Sequence, residues 1–233
     1  SPIFYCNVLC KINWLKKAQD ATADSGVSRG FSLVYNGKGN DVGWQPSYPE
    51  TTGYIIPTMI RAGEKLHDQD LIRRAKLMAD WELQIIFSDG AVHGGNITVR
   101  PNKAVFDTGQ VIRGFLAIFN KTKEEKYLYA AIKSANWVLK NEYEKQGKWI
   151  ENNASCVDDL CTIYNIYAIA PIVKLGVEIG KEELKELEKS YKAEIEKLQK
   201  SYSSDHLFTI TEEHANELTI LETNSKININ FEY

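Results

Sequence analysis

Apolar residues recur at helical spacing along most of the chain, and the pattern predicts helices joined by polar loops with almost no strand. A first helix is expected over residues 4–22, with Val8, Leu9, Ile12, Leu15 and Ala18 on its inner face. A second, over about 51–67, places Ile55, Ile56, Met59, Ile60 and Leu66 at helical intervals; Pro49 restricts the residue before it, and Thr51 or Thr52 caps. A third spans about 69–87, with Ile72, Ala75, Ala79 and Leu83 inward. Further helices are expected over about 107–120 and 124–143, and from 157 or 158 to 175, the last kinked at Pro171. After Gly180 the composition shifts to Lys and Glu. Leu184, Leu187, Tyr191, Ile195 and Leu198 make residues 181–200 an amphipathic helix with a solvated face, and a short helix near 211–222 precedes the tail. The expected fold class is all-α, with about eight helices in four hairpins. Residues 1–180 read as the main hairpins, and 181–233 as a degenerate last hairpin and tail of the same domain.

The helices repeat. Gly53 and Gly109 each follow a threonine and a nearby carboxylate, and they stand 56 residues apart. Ala79-Asp80-Trp81 and Ala135-Asn136-Trp137 share that offset, which carried once more from Gly109 lands on Asn165. Trp14, followed by Asp24-Ser25-Gly26-Val27, parallels Trp81 and Asp89-Gly90-Ala91-Val92 with a longer loop. Self-similarity at such a period signals stacked or ring-forming hairpins. On this reading Gly53, Gly109 and Asn165 are equivalent, and Trp81 and Trp137 are buried between hairpins.

Composition narrows the function classes. A chain of 233 residues supports one sizeable core, and 25% charged with 43% hydrophobic residues is ordinary for a globular protein. A formal charge of −3 gives no pull towards nucleic acid or an anionic membrane surface. No apolar run approaches the ~20 residues of a membrane helix. The chain starts at Ser1 without an initiator Met, so the lack of a leader carries little weight. Four cysteines, Cys6, Cys10, Cys156 and Cys161, lack zinc-knuckle spacing; Cys6 and Cys10 read as small core residues of the first helix. A reducing, cytoplasmic setting is the default, with no metal and no cofactor.

The loop from Asp24 to Glu50 is long for a helix–helix connection, and such loops tend to be functional. Candidate chemistry collects there and at helix starts. Asp107 is the expected general acid or base, with Asp24 or Glu50 as partner, since paired carboxylates divide acid and base roles in glycosidic chemistry. Trp44, Tyr48 and Trp149 offer flat faces to a sugar ring. Arg29, Arg100 or Arg113 suits a uronate carboxylate. Gln110 suits a sugar hydroxyl, and His93 is a further loop candidate. The competing reading is that the carboxylates only cap helices, where the dipole favours them.

Three stretches together resemble the six-hairpin, α/α-toroid proteins: Asp24-Ser25-Gly26-Val27-Ser28, Trp44-Gln45-Pro46-Ser47-Tyr48-Pro49-Glu50-Thr51-Thr52-Gly53-Tyr54 and Phe106-Asp107-Thr108-Gly109-Gln110-Val111. The similarity covers about residues 10–180. Members include unsaturated glucuronyl hydrolases, sugar 2-epimerases and glucuronyl C5-epimerases, and uncharacterised members belong to polysaccharide-related gene sets. The resemblance implies a saccharide ligand and a glycoside hydrolase or sugar epimerase, with acid–base work by aspartates at inner-helix starts. Asp107 is the positional match. With about eight helices the ring is partial or open, a fragment, or completed by another subunit such as a homo-oligomer partner. The alternative is a non-catalytic toroid that binds glycan or protein in a biosynthetic assembly.

Overall fold

The structure, a computed structural model, describes residues 2–34, 42–98, 102–141, 149, 151–152 and 165–179. The chain divides into two compact units, Ser1–Leu175 and Gly176–Tyr233, and the expected helices at 181–200 and 211–222 lie outside the described residues. The described residues are mostly helical, with six α-helices. These are α1 (Pro2–Asp20), α2 (Pro49–Leu66), α3 (Gln69–Ile85), α4 (Val105–Thr122), α5 (Glu125–Lys140) and α6 (Ile169–Ile179). A 3₁₀ turn, Ile166–Ala168, leads into α6, so Pro171 falls in a first turn, where its missing N–H is tolerated, instead of kinking a longer helix. One antiparallel pair was not expected: β1 (Phe31–Ser32) and β2 (Gly43–Trp44), with Phe31 opposite Trp44.

Pro49 is the first residue of α2, where a fixed φ suits the helix, and Tyr48 occupies the cap position without a side-chain bond. Thr51 and Thr52 therefore do not cap. Thr52 instead joins the helix to the preceding loop. Its hydroxyl donates to the Tyr48 carbonyl at 2.9 Å and accepts from the Val27 N–H at 2.9 Å. Thr108 repeats the arrangement, donating to the Ala104 carbonyl at 2.6 Å and accepting from the Val92 N–H at 3.0 Å.

The backbone repeats with it. The Tyr48 N–H reaches the Val27 carbonyl at 3.0 Å, and the Ala104 N–H reaches the Val92 carbonyl at 3.1 Å. Asp24 accepts from the Gly26 N–H and Asp89 from the Ala91 N–H, around residues of positive φ, Ser25 (75°) and Gly90 (99°). Single bridges follow at Ser28–Ser47 and His93–Lys103. The segment between bridged residues is nine residues longer in the first copy, and that extra length holds β1 and β2. The far ends match too. His67 and Lys123, 56 apart, end α2 and α4 in the left-handed conformation at φ 55° and 60°.

Helices α2 and α4 lie side by side, with α3 against α2 and α5 against α4. The approach of α2 to α4 depends on Gly53: a Cβ there would sit 2.6 Å from the Gln110 carbonyl oxygen. At Gly109 a Cβ would sit 2.4 Å from the Ala168 Cα, so α4 meets the next helical segment in the same manner. The match slips in that third copy. Gly53 faces Gln110, whose counterpart by the 56-residue offset is Ile166, yet Gly109 faces Ala168. A 3₁₀ turn rises faster per residue than an α-helix, which accounts for a shift in register there.

Trp81 and Trp137 are buried on α3 and α5, as their shared offset implies. Trp14 is not. It is 51% exposed and packs with Phe31 and Trp44, at centroid distances of 6.3 and 4.7 Å. Cys10, expected in the core, is exposed on α1.

Two substitutions test this scaffold in urea denaturation. Thr108→Val removes the acceptor of a buried N–H and is expected to cost about 1–3 kcal/mol, while Thr108→Ser retains most of it. Trp81→Ala is expected to cost about 3–5 kcal/mol. A loss below about 1 kcal/mol in either case contradicts the packing described.

Candidate functional site

Asp107 lies in the first turn of α4 and is fully buried, because that helix is apolar on nearly every side and is covered by α2, α3 and α5. It does not act as a cap. Its Oδ1 accepts from the Gly95 N–H at 3.3 Å, in the loop before the helix, and Oδ2 has no partner at full hydrogen-bond geometry. Burial, reinforced by the nearby Glu50 charge, raises the Asp107 carboxyl to about 7 against the pull of the Gly95 N–H. The dipole of α4 favours the anion by up to about 1 kcal/mol, which desolvation outweighs.

Glu50, in the first turn of α2, is half-buried and also raised by burial; its hydrogen bond with the Tyr48 hydroxyl and the charge of Arg29 act the other way. Burial and the charges of Asp107 and Glu50 push the Tyr48 phenol far above its usual range. Tyr48 therefore remains a hydroxyl under the influence of the two carboxyls. Arg29 is exposed at the edge, its guanidinium 5.7 Å from the Tyr48 ring centre. The four side chains form one graded group, from open Arg29 through Tyr48 and Glu50 to enclosed Asp107.

Asp24 adjoins this group from the first turn, accepting from the Ser47 hydroxyl at 2.6 Å and the Gly26 N–H at 3.0 Å. Glu82 was missed in the sequence. It lies on α3 beside Trp81, is fully buried, and neither oxygen has a hydrogen-bond partner among the described residues. Burial first, then the charges of Asp107 and Asp24, raise its carboxyl well above the ordinary range. No local signal marks Glu82, since position 82 reads as one more polar residue of an amphipathic helix.

The other candidates are placed differently. Gln110 is buried on α4, its amide N–H 3.5 Å from the Tyr167 carbonyl and its Oε1 without a partner. His93 is buried against Phe87, with Nδ1 3.2 Å from the Asn102 carbonyl. Trp44 belongs to the cluster with Trp14 and Phe31. Trp149 is only 1% exposed and its indole N–H donates to the Val138 carbonyl at 3.0 Å, so it offers no open face to a sugar. Arg113 stacks on Tyr54, 5.8 Å from its ring centre, and Arg100 lies outside the described residues.

Among the described residues, no helix is long and apolar enough to cross a membrane, and no cluster of three or more His, Cys, Asp or Glu side chains is arranged to hold a metal ion. Comparison with protein-family models, curated proteins and solved structures returned no match.

The raised carboxyls make stability depend on pH. Below about pH 4 Asp107 is protonated in both folded and unfolded chains. Between about pH 4 and its folded value near 7 the unfolded chain gives up the proton and the folded one keeps it, so stability falls as pH rises. The expected loss is up to about 4 kcal/mol, and it levels off for this group above pH 7. Asp107→Asn cannot ionise and should lose this slope in urea titrations from pH 4 to 8. Glu82→Gln should gain stability on wild type as the pH is raised. Slopes unchanged in both variants would mean that the carboxyls are not enclosed as described.

Proposed function

We propose that the chain is a carbohydrate-active protein, a glycoside hydrolase or sugar epimerase acting on a saccharide that includes uronic acid. The supporting observation is that Asp107, buried in the first turn of α4 with its proton affinity raised to about 7, lies close enough to half-buried Glu50 in the first turn of α2 to feel its charge. An acid–base group works best when its pKa lies near the working pH, and two carboxyls held at different affinities can divide the roles of acid and base. Hydrolysis needs the leaving oxygen protonated and a water deprotonated, and epimerisation needs a proton removed from one face of a carbon and another delivered to the opposite face. Glu50, the less buried carboxyl, is the one that reaches the ligand, and Asp107 is the second carboxyl of the pair. Arg29, exposed at the edge, pairs with a uronate carboxylate. The partial or open α/α toroid belongs to the same reading, with α2 and α4 as inner helices and α3 and α5 outside them.

One observation favours a second reading, glycan binding without turnover: Asp107 and Gln110 are wholly enclosed. Turnover separates the two. Against a panel of uronate-containing and neutral oligosaccharides, Glu50→Gln and Asp107→Asn are expected to lower the rate by about 10²–10⁴-fold, and Arg29→Ala to weaken binding of uronates selectively. Binding without turnover in wild type selects the second reading. Wild-type turnover that survives in both carboxyl variants removes the enzymatic one.

A further inference from the structure

A second concavity lies along α5. Lys133, Asn136, Trp137, Lys140 and Asn141 recur at helical spacing and so share one side of that helix. Asp89 and Lys103 form the facing wall, around a cavity of about 470 Å³, within the size range of small-molecule sites. All the lining residues named here lie in the first unit.

The repeat shows where this space comes from. In the first copy Ser47 bonds Asp24, and the wall closes directly on the tryptophan: a Cβ on Gly26 would lie 2.9 Å from Trp81 Cδ2. In the second copy Asp89 and Lys103 hold the corresponding positions beside Trp137. A lysine stands where the first copy has a serine, and the cavity opens there.

Its charge is unbalanced. Lys103 is paired with Asp89, but Lys133 and Lys140 make no ion pair among the described residues. Seven residues apart on a helix, they sit about 10 Å from each other and span the length of the cavity. Two unneutralised ammonium groups facing one concavity attract an anion. The polar lining is also selective. One Asn141 side-chain N–H donates to the Trp137 carbonyl at 2.7 Å, and Asn152 donates to Asn141 Oδ1 at 3.3 Å. The Asn136 amide, the second N–H of Asn141 and the Asn152 Oδ1 are left for hydroxyl groups.

We propose that this cleft binds a small sugar carrying one compact oxyanion, a carboxylate or a phosphate, with Lys133 and Lys140 on the anion and Asn136 and Asn152 on the hydroxyls. The ligand is independent of the reaction assigned to Asp107. The segment from Asp89 to Asp107 nonetheless forms part of both places, since Asp89 and Lys103 line the cleft and the Gly95 N–H holds Asp107.

Calorimetric titration of the whole chain at low salt tests this with four probes: glucuronate, glucose 6-phosphate, glucose and inorganic phosphate. Saturable binding is expected for glucuronate or glucose 6-phosphate, at least tenfold tighter than for glucose or inorganic phosphate and weakened by added salt. Which of the two binds more tightly distinguishes carboxylate from phosphate. The Lys133→Glu/Lys140→Glu double variant changes two exposed side chains, so it should keep the wild-type melting temperature and weaken binding at least tenfold. The proposal is overturned if neither anionic sugar binds, if inorganic phosphate binds as tightly, or if the double variant is unaffected.

Discussion

The first unit depends on a threonine hydroxyl placed one turn into a helix. Thr52 and Thr108 each close a bond back onto their own helix start and accept an N–H from the loop above it. A hydroxyl can donate once and accept at the same time, so one side chain fixes both the start of the helix and the height of the loop. Val27 and Val92 then lie flat on the core, and the aspartate turns before them are set in place. Deep in the protein, such a bond leaves no buried N–H unpaired, a defect more expensive than the bond itself is stabilising.

The same scaffold puts carboxyls where water does not reach. Helix α4 is covered by helices on several sides, so any polar residue in its first turns is taken into the interior with it. Asp107 keeps a single backbone donor, Gln110 keeps one free oxygen, and Glu82 arrives from α3 with none. A buried ion without a partner is far less stable than a buried acid, and proton retention is the physical response. The Glu50 charge reinforces that tendency at Asp107, and the Gly95 N–H opposes it without reversing it. The result is a group of carboxyls, Glu50, Glu82 and Asp107, all raised by burial.

Much of the scaffold was legible in the sequence, because the repeat is carried by residues whose chemistry permits few substitutes. The glycines at 53 and 109 are required by helices in backbone contact, and the paired tryptophans fill equivalent spaces. The site was less legible. Aligning the copies on their threonines sets Glu50 opposite Phe106 and Asp107 opposite Thr51, so the two carboxyls are neighbours in space without being repeats of each other. Trp149 looked available because aromatic residues in loops often are, yet its indole N–H found a helix carbonyl. Trp14 broke the pattern in the other direction. As the first in the series it has no earlier hairpin among the described residues to cover it, and the aromatic residues of the long loop gather on it instead. Glu82 was invisible, since a sequence does not state which face of an amphipathic helix will be enclosed by a neighbour that is itself apolar all round.

The bridges at Ser28–Ser47 and His93–Lys103 divide each loop into a part that the fold requires and a part that it does not. Below the bridge, the threonine bonds, the backbone bonds from Tyr48 and Ala104 and the aspartate turns are duplicated between copies. Above it, the first copy carries the β1–β2 pair, and among the described residues the second copy has no strand. Chain length in that upper part is thus uncoupled from the architecture, as in a lamp socket that accepts bulbs of any shape. Sequence drift can lengthen, shorten or replace whatever is mounted there without reopening the question of how the helices pack. The molecule is in this sense pre-adapted to acquire new specificities one loop at a time.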